Sequence, residues 1–503
     1  QDDAEVYDAL QHADTVGLFQ VESRAQMASL PRLRPMNFYD IVVQVAIIRP
    51  GPIVGNMVHP YIRRRQGREV PDYMDPSLEP VLKRTLGVPL FQEQLLRMAM
   101  ICAGFTGGEA EELRRAMGFK RSELRMKEIE KKLRLGMTRN GIAPSAQDAI
   151  VNSITSFALY GFPESHAASF ALLAYASAYL KCHYLAAFTA ALLNNQPMGF
   201  YHPFTIIKDA QRKGLKVLPI DITRSDWGCS VEIENISPTE AKPEMMCLRL
   251  GLNYVKGLRE EAGRAIIRER EKRPFSSIED LSVRVPEVRK DELRKLARIG
   301  ALNFISPDEN GGRQPHHASR TAHRESDRQY LHRRDALWQA ERASRPAGPL
   351  VKSQEESDAR SPLLKMTVAE RINADLRTTS LTIGKHPMAY RRRELNKLGA
   401  LRATDLPRVR NGAPVRVAGW VICRQRPGTA KGFLFLSLED ETGIMNAIIT
   451  PDVYDRNRLV VVSEDLLLID GVIQNQDGVI HVKANRIRPL ESEHPRVKSH
   501  DFR

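Results

Sequence analysis

Residues 160–181 read YGFPESHAASFALLAYASAYLK. A Gly/Pro turn comes first, then a serine suited to a helix N-cap, then a run free of both turn residues, so a long helix is expected from His166 towards Leu193. Its apolar part, AASFALLAYASAYL, is shorter than the ~20 residues a bilayer span needs, and its Tyr and Ser content suits a buried core helix. A helix start offers unpaired N–H groups and partial positive charge, which hold phosphate. Ser165 and His166 stand at that start. Caps of this kind are common, so the same residues also suit a plain cap and a surface histidine.

The preceding residues continue the helical pattern. VYDALQHA, IVVQVAII, LLRMAMICAGF and AEELRRAMGF carry helical apolar spacing, punctuated by RPGPI and GFTGGE. Residues 1–195 therefore form one largely helical region. Within it, Arg114 and Arg115 sit mid-helix beside Leu113, Ala116 and Met117, and Arg49 precedes a rigid Pro-Gly-Pro corner. Guanidinium groups suit multi-point phosphate recognition, and equally a solvated helical face.

With 503 residues the chain exceeds one ordinary domain, and two to four are expected at ~100–200 residues each. A hydrophobic share of 42% excludes a disordered chain. The net charge of +14 calls for a polyanionic partner, nucleic acid or an anionic membrane surface. Five scattered cysteines form no CxxC pair, which argues against a zinc site or disulfide framework and suits a reducing cytoplasm. The opening QDDAEVYDALQHADT has neither an initiator Met nor a signal pattern, and reads as the interior of a longer protein.

Residues 196–305 are mixed: KVLPIDIT and MCLRLGLNYV are strand-like, and helical hairpins come after them. NYVKGLREEAGRAIIRERE is similar to a helix-hairpin-helix, with Lys256, Gly257 and Leu258 in a tight turn whose backbone N–H groups can meet a DNA phosphate. VRKDELRKLARIGALN, with Gly300 at its turn, is the candidate second member, giving a pair over about 247–303; an ordinary αα-hairpin is the plainer reading. Residues 306–362 turn polar and Pro/Gly/Ser-rich, a flexible linker with one helical island, and 363–405 form a helical connector. Residues 406–490 hold five strand patterns at short spacing, which suggest a five-stranded barrel resembling the nucleic-acid-binding OB-fold, before a tail at 491–503. In GFLFLSLED, period two puts Leu434, Leu436 and Leu438 on one face and Phe433 and Phe435 on the other. With the Leu face as core, the Phe face is available to stack bases. Trp420, Arg424, Arg426 and Lys431 flank it. A strand packed on both faces is the alternative.

Taken in order, DTVGLFQVESRAQM, VAIIRPGP, LFQEQLLRMA, LRRAMGFK, YGFPESHAASFALLAYASAYLK and VLPIDI resemble the fingers region of the bacterial C-family DNA polymerases, those like the polymerase III alpha subunit, over about residues 15–304. The resemblance implies a multidomain α+β chain of helical fingers, hairpin domain and OB barrel. It implies that Arg49, Arg114, Arg115, Ser165 and His166 face the incoming nucleoside triphosphate. In this family two Mg²⁺ ions are held by palm aspartates N-terminal to the fingers. The sequence contains no Asp-x-Asp, so no catalytic or metal-binding residue is assigned here and the chain alone is expected to be inactive. HRRDALWQAER, TSLTIGKHPMAYRRREL and the terminal KSHDFR look like the error-prone, translesion paralogue. No Gln-x-x-Leu-Phe clamp-binding pentapeptide is read between hairpins and barrel, and with the barrel followed closely by the last residues the extra C-terminal domain of the replicative subunit is not expected. The implied partners are primer-template and single-stranded DNA, deoxynucleoside triphosphates, and damage-inducible accessory proteins, with the sliding clamp reached through them and no membrane. The replicative subunit itself and a non-enzymatic DNA-binding module are the alternatives.

Overall fold

A computed structural model describes residues 2–48, 58–118, 123–158, 162–233, 246–305, 331–343, 361–491 and 499–502. Arg49 lies outside them, as does most of the linker expected at 306–362. The chain forms two compact units, one of residues 1–182 with 476–479, the other of 183–475 with 480–503.

The first unit is helical. It comprises α1 (Ala4–Gln11), α2 (Arg24–Leu33), α3 (Phe38–Ile47), α4 (Val58–Arg65), α5 (Glu79–Leu82), α6 (Gln92–Ala103), α7 (Gly107–Gly118), α8 (Glu123–Arg139), α9 (Pro144–Ala158) and α10 (Glu164–His183). Polar caps start the first three: Asp3, Ser23 and Asn37 each accept a backbone N–H from the next turn. The helices α6–α9 share a core of Leu95, Met98, Cys102, Leu113, Leu133, Met137, Ile150 and Ile154. At Gly136 a Cβ would lie 2.1 Å from the Ala103 carbonyl oxygen, so only glycine lets α8 approach α6 so closely.

The helix α10 differs from the expected core helix in two ways. One face is buried through Ala167, Ala171, Ala174 and Ala178, while Leu172, Leu173, Tyr179 and Leu180 are exposed on the other. It also stops at His183, because Tyr184 leaves helical geometry (φ −135°, ψ 47°) before α11 (Leu185–Asn194) begins. Among the described residues no helix is long and apolar enough to cross a membrane.

The second unit runs through α11, α12 (Pro203–Arg212), a three-stranded sheet, and the hairpin helices α13 (Glu260–Lys272), α14 (Ile278–Arg284) and α15 (Lys290–Ile299). In the sheet β3 (Met246–Arg249) lies between a parallel β1 (Val217–Leu218) and an antiparallel β2 (Ser230–Ile233). The helical island is α16 (Arg333–Ala343), and it is a packed element: Ala336 and Ala340 enter the main core. The connector holds α17 (Val368–Thr379) and α18 (Pro387–Lys397), whose Ile372, Leu376, Met388 and Leu395 join the same core.

The barrel consists of β4 (Pro414–Gln425), β5 (Leu434–Glu439), β6 (Ile444–Ile449), β7 (Leu466–Gln476) and β8 (Val479–Pro489), closed by the β4–β5 pairing. Its interior is filled by Val417, Val421, Leu434, Leu436, Leu438, Ala447, Ile449, Leu467, Ile469 and Val482. Two elements go beyond the five strands read from the sequence. The helix α19 (Pro451–Ser463) places Val453, Tyr454 and Val461 in the barrel core, and β9 (His500–Phe502), within the expected tail, runs parallel to β4.

Candidate nucleic-acid interface

The outer face of the barrel is divided between packing and exposure. Outward positions of β4 and β7, namely Ala418, Trp420, Leu466 and Leu468, belong to the core shared with α12 and the hairpin helices. The Trp420 ring lies 5.9 Å from that of Phe204 and is 2% exposed. Trp420 is therefore a packing residue, and its assignment to the DNA-binding face is corrected. The sequence carried a signal: DLLLID and VAGWVIC are apolar on both strand faces, as doubly covered strands are.

Beside Trp420, Glu439 is fully buried and receives hydrogen bonds from Thr205 Oγ1 (3.0 Å) and Arg212 Nη1 (2.8 Å) of α12. Burial pushes its carboxyl above the usual range, against the pull of Arg212. On the same helix, burial lowers Lys208 to about 8, although Glu439 works the other way; its ammonium donates to Gln211 Oε1 (2.8 Å) and the Gly384 carbonyl (2.6 Å). Sequence reading missed this charged lock, because a buried acid in a strand looks like any surface acid.

Away from α12 the face opens. Leu434, Leu436 and Leu438 are core, while Phe433 and Phe435 on the opposite side are partly exposed, the facing that the alternation gave. Backbone register lines up one cross-strand row: Gln425 opposite Phe435, Phe435 opposite Ile448, Ile448 opposite Lys483. All four side chains are partly or fully exposed. Lys431 is exposed in a left-handed turn at φ 48°, and Arg426 stacks 4.4 Å over the Tyr454 ring. Here partly exposed apolar side chains are edged by positive charge, an arrangement that can stack bases and neutralise phosphate.

Arg424 does not belong to that strip. It is 7% exposed, and donates to the carbonyls of Val461 (2.7 Å) and Glu464 (2.6 Å) at the end of α19, to Ser499 Oγ, and to Asp501 (3.4 Å). It ties α19, β4 and β9 together, and its role as a DNA contact is corrected.

In the hairpin domain Gly257 adopts φ 72°, with Val255 and Leu258 buried beneath and Lys256 exposed. The Lys256 N–H is committed to the Thr378 carbonyl (2.8 Å). The starts of α13 and α15 are joined by buried Glu292, which accepts from Arg259 N (2.9 Å) and Arg289 N (2.8 Å). Gly300 is corrected: it is a buried C-cap of α15 at φ 82°, and a Cβ there would meet Arg333 Nε of α16 at 3.0 Å. It ends α15, whereas the exposed turn at Gly257 leads directly into α13.

In the first unit, Arg114 and Arg115 are exposed on α7, and Arg114 forms a two-pronged pair with Glu111 (2.8 and 2.6 Å). Ser165 and His166 lie in the first turn of α10, past the cap position that Ser165 was expected to fill, since Glu164 already begins the helix. Both are exposed; the His166 ring sits 5.1 Å from Phe162 and 4.1 Å from Phe170. The helix start is already supplied with acid: Glu164 N donates to Glu93 Oε2 (2.9 Å), and Glu164 accepts from Tyr39 Oη (2.9 Å), over whose ring Arg84 stacks at 3.7 Å. Glu93 belongs to α6, the helix against which α7 packs, so α6 adjoins both candidate phosphate-facing elements. Other cations are committed to the fold: Arg64 to Glu69, Arg65 to Asp40, Arg392 to Asp440 and Glu441. Among the described residues no group of three His, Cys, Asp or Glu could hold a metal ion, so they do not fit a two-metal centre.

Known families match along the chain in the order of these elements. Residues 1–141 match the bacterial DNA polymerase III alpha subunit finger domain, 214–311 a helix-hairpin-helix motif, and 415–490 an OB-fold nucleic acid binding domain. Proteins named error-prone DNA polymerase are similar throughout. That of Anaeromyxobacter sp. (strain K) is 46% identical over 97% of this chain and 41% of its own length; that of Methylococcus capsulatus is 44% identical over 100% and 47%. The chain thus spans under half the length of these curated relatives.

Proposed function

We propose, from the chain's place among the bacterial C-family DNA polymerases of the error-prone, polymerase III alpha-like type, that the protein it belongs to performs DNA-templated nucleotidyl transfer across damaged templates. The observation that carries this reading is the ordered run of finger, hairpin and OB modules at 46% identity over 97% of the chain. The matching relatives quoted are all of the error-prone type, which favours it over the replicative subunit.

On this reading the chain supplies binding and orientation. The strip of Phe433, Phe435, Ile448 and Lys483 would hold single-stranded template, its rings stacking bases and its cations meeting phosphate. The Gly257 turn would contact the duplex backbone, aided by Lys256. Arg114, Arg115, Ser165 and His166 would face the triphosphate, with Arg114 exchanging Glu111 for phosphate oxygens. Divalent metal, Mg²⁺ on this reading, would supply charge neutralisation for the transfer when bound, at carboxylates other than those described here. Damage-inducible proteins in the cytoplasm, and the clamp through them, are the partners this function calls for.

The test compares primer extension by the full-length protein on intact and damaged templates, alongside binding of this chain to labelled primer-template. Extension past a lesion, with tight binding by the chain, is the expected result. Lack of DNA binding by the chain at low salt would sink the reading.

A further inference from the structure

An ammonium from another helix lies over the Gly257 turn. Lys295, 38 positions later on α15, donates from Nζ to the Gly257 carbonyl (3.3 Å) and to Asp291 Oδ2 (3.1 Å). A Cβ built on Gly257 would lie 2.8 Å from that nitrogen, so the ammonium stands where a side chain would be. Glycine serves two needs at this position, the positive φ of 72° and the room for Lys295. The opposite side of α15 holds Lys295 in place, since Leu293, Leu296 and Ala297 are buried in the main core.

The turn keeps donors in reserve. Its Lys256 N–H goes to the Thr378 carbonyl (2.8 Å) and its Leu258 N–H to the Val255 carbonyl (3.0 Å), but among the described residues the Gly257 N–H has no backbone partner. An ammonium carries three N–H donors, and the carbonyl and the carboxylate take two of those on Lys295. The third and the Gly257 N–H meet at one exposed spot, because the ammonium replaces the side chain of the very Cα that follows this N–H. A backbone N–H beside a fixed cation suits the oxygens of one phosphate. Asp291 is no firm competitor: it is 60% exposed, and an ion pair so open to water is weak enough for phosphate to displace the carboxylate. One turn along α15, exposed Arg298 adds positive charge.

We propose that Lys295 is a phosphate-binding residue of the hairpin, gripping one phosphate of duplex DNA together with the Gly257 N–H and giving up Asp291 to do so. This rests on the reading of the Gly257 turn as a duplex contact, and it brings α15, the third helix of the domain, into that contact.

The experiment uses this chain, a labelled blunt duplex and a labelled oligothymidylate, with binding followed by anisotropy over a salt series and folding by thermal melting. Lys295→Met should weaken duplex binding about fivefold and lower the slope of log affinity against log salt by about one, with oligothymidylate binding and melting temperature little changed. Asp291→Asn, which releases the ammonium from its carboxylate, should tighten duplex binding, and the gain should vanish in the double variant with Lys295→Met. Unchanged duplex affinity and slope in Lys295→Met overturns the proposal. So does an affinity lost only in step with the melting temperature, which would make Lys295 a brace of the turn, and so does an equal gain from Asp291→Asn with and without Lys295. If Lys256→Met loses duplex affinity while Lys295→Met keeps it, this inference alone fails. If the unaltered chain does not bind the duplex, the reading of the turn fails with it.

Discussion

Two aromatic residues on adjacent strands of the same barrel make opposite commitments. Phe435 is partly exposed in the open row; Trp420 is packed on Phe204. Phe435→Ala should weaken single-strand binding by roughly 1–3 kcal/mol and leave stability nearly intact. Trp420→Ala should cost about 3–5 kcal/mol of stability, as large core truncations do. Isotherms and melting curves of the two variants decide, and the reverse pattern would mean that the faces are exchanged. Lys208 gives a pH-dependent prediction. An unfolded lysine keeps its proton to 10.5, whereas burial in the fold lowers Lys208 to about 8. Between those values the folded chain binds fewer protons than the unfolded chain, so this group makes stability rise with pH, and its burial penalty is greatest below 8. Denaturant titrations across that window should show the rise in the wild type and a weaker one in Lys208→Met. For nucleotide binding, the exposed pairs make separable predictions in the full-length enzyme. Arg115→Ala should chiefly raise KM, as loss of binding common to ground and transition states does, and His166→Ala should lower kcat. If both constants stay unchanged in both variants, these residues do not belong to the nucleotide site.

At the scale of elements, a glycine's meaning depends on the elements around it. Gly257 and Gly300 look alike in sequence, each in a short apolar turn, and both adopt positive φ. The first leads into α13 on the surface, while the second closes α15 under Arg333 of α16. Periodicity marks both turns but not the structure that lies over them, because α16 comes from within the polar stretch, some thirty residues after Gly300. Gly257→Ala should cost about 1–2 kcal/mol of stability, since a Cβ is strained at that φ, and should also weaken duplex binding. Gly257→Asn, which tolerates a left-handed backbone better, should recover part of the stability; melting curves for the two variants test this. Charge behaves in the same way. Runs such as YIRRRQGR read as a basic face, yet Arg64 and Arg65 are held by Glu69 and Asp40.

For the whole molecule, the surplus of +14 matters more than any single cation. Binding of this chain to DNA should weaken steeply as salt increases, with log affinity linear in log salt and a slope set by the number of phosphates neutralised. A flat response in equilibrium titrations would contradict a phosphate-dominated surface. How much of the molecule is legible in its sequence depends on how each signal is encoded. Helices, strands, the barrel, the Leu-in and Phe-out facing of β5 and the order of modules are written locally, in period and punctuation, so the sequence alone determined them. The burial of Trp420 and Glu439, the commitment of Arg424 to α19 and β9, the cover over Gly300 and the one-sided burial of α10 were decided only by the tertiary structure. Each depends on a partner distant in the chain: α12 lies over 200 residues before the strand it covers, as the Thr205–Glu439 separation of 234 shows. A local pattern can show that a side chain points out of a barrel, but whether water or another element meets it there depends on how the chain returns.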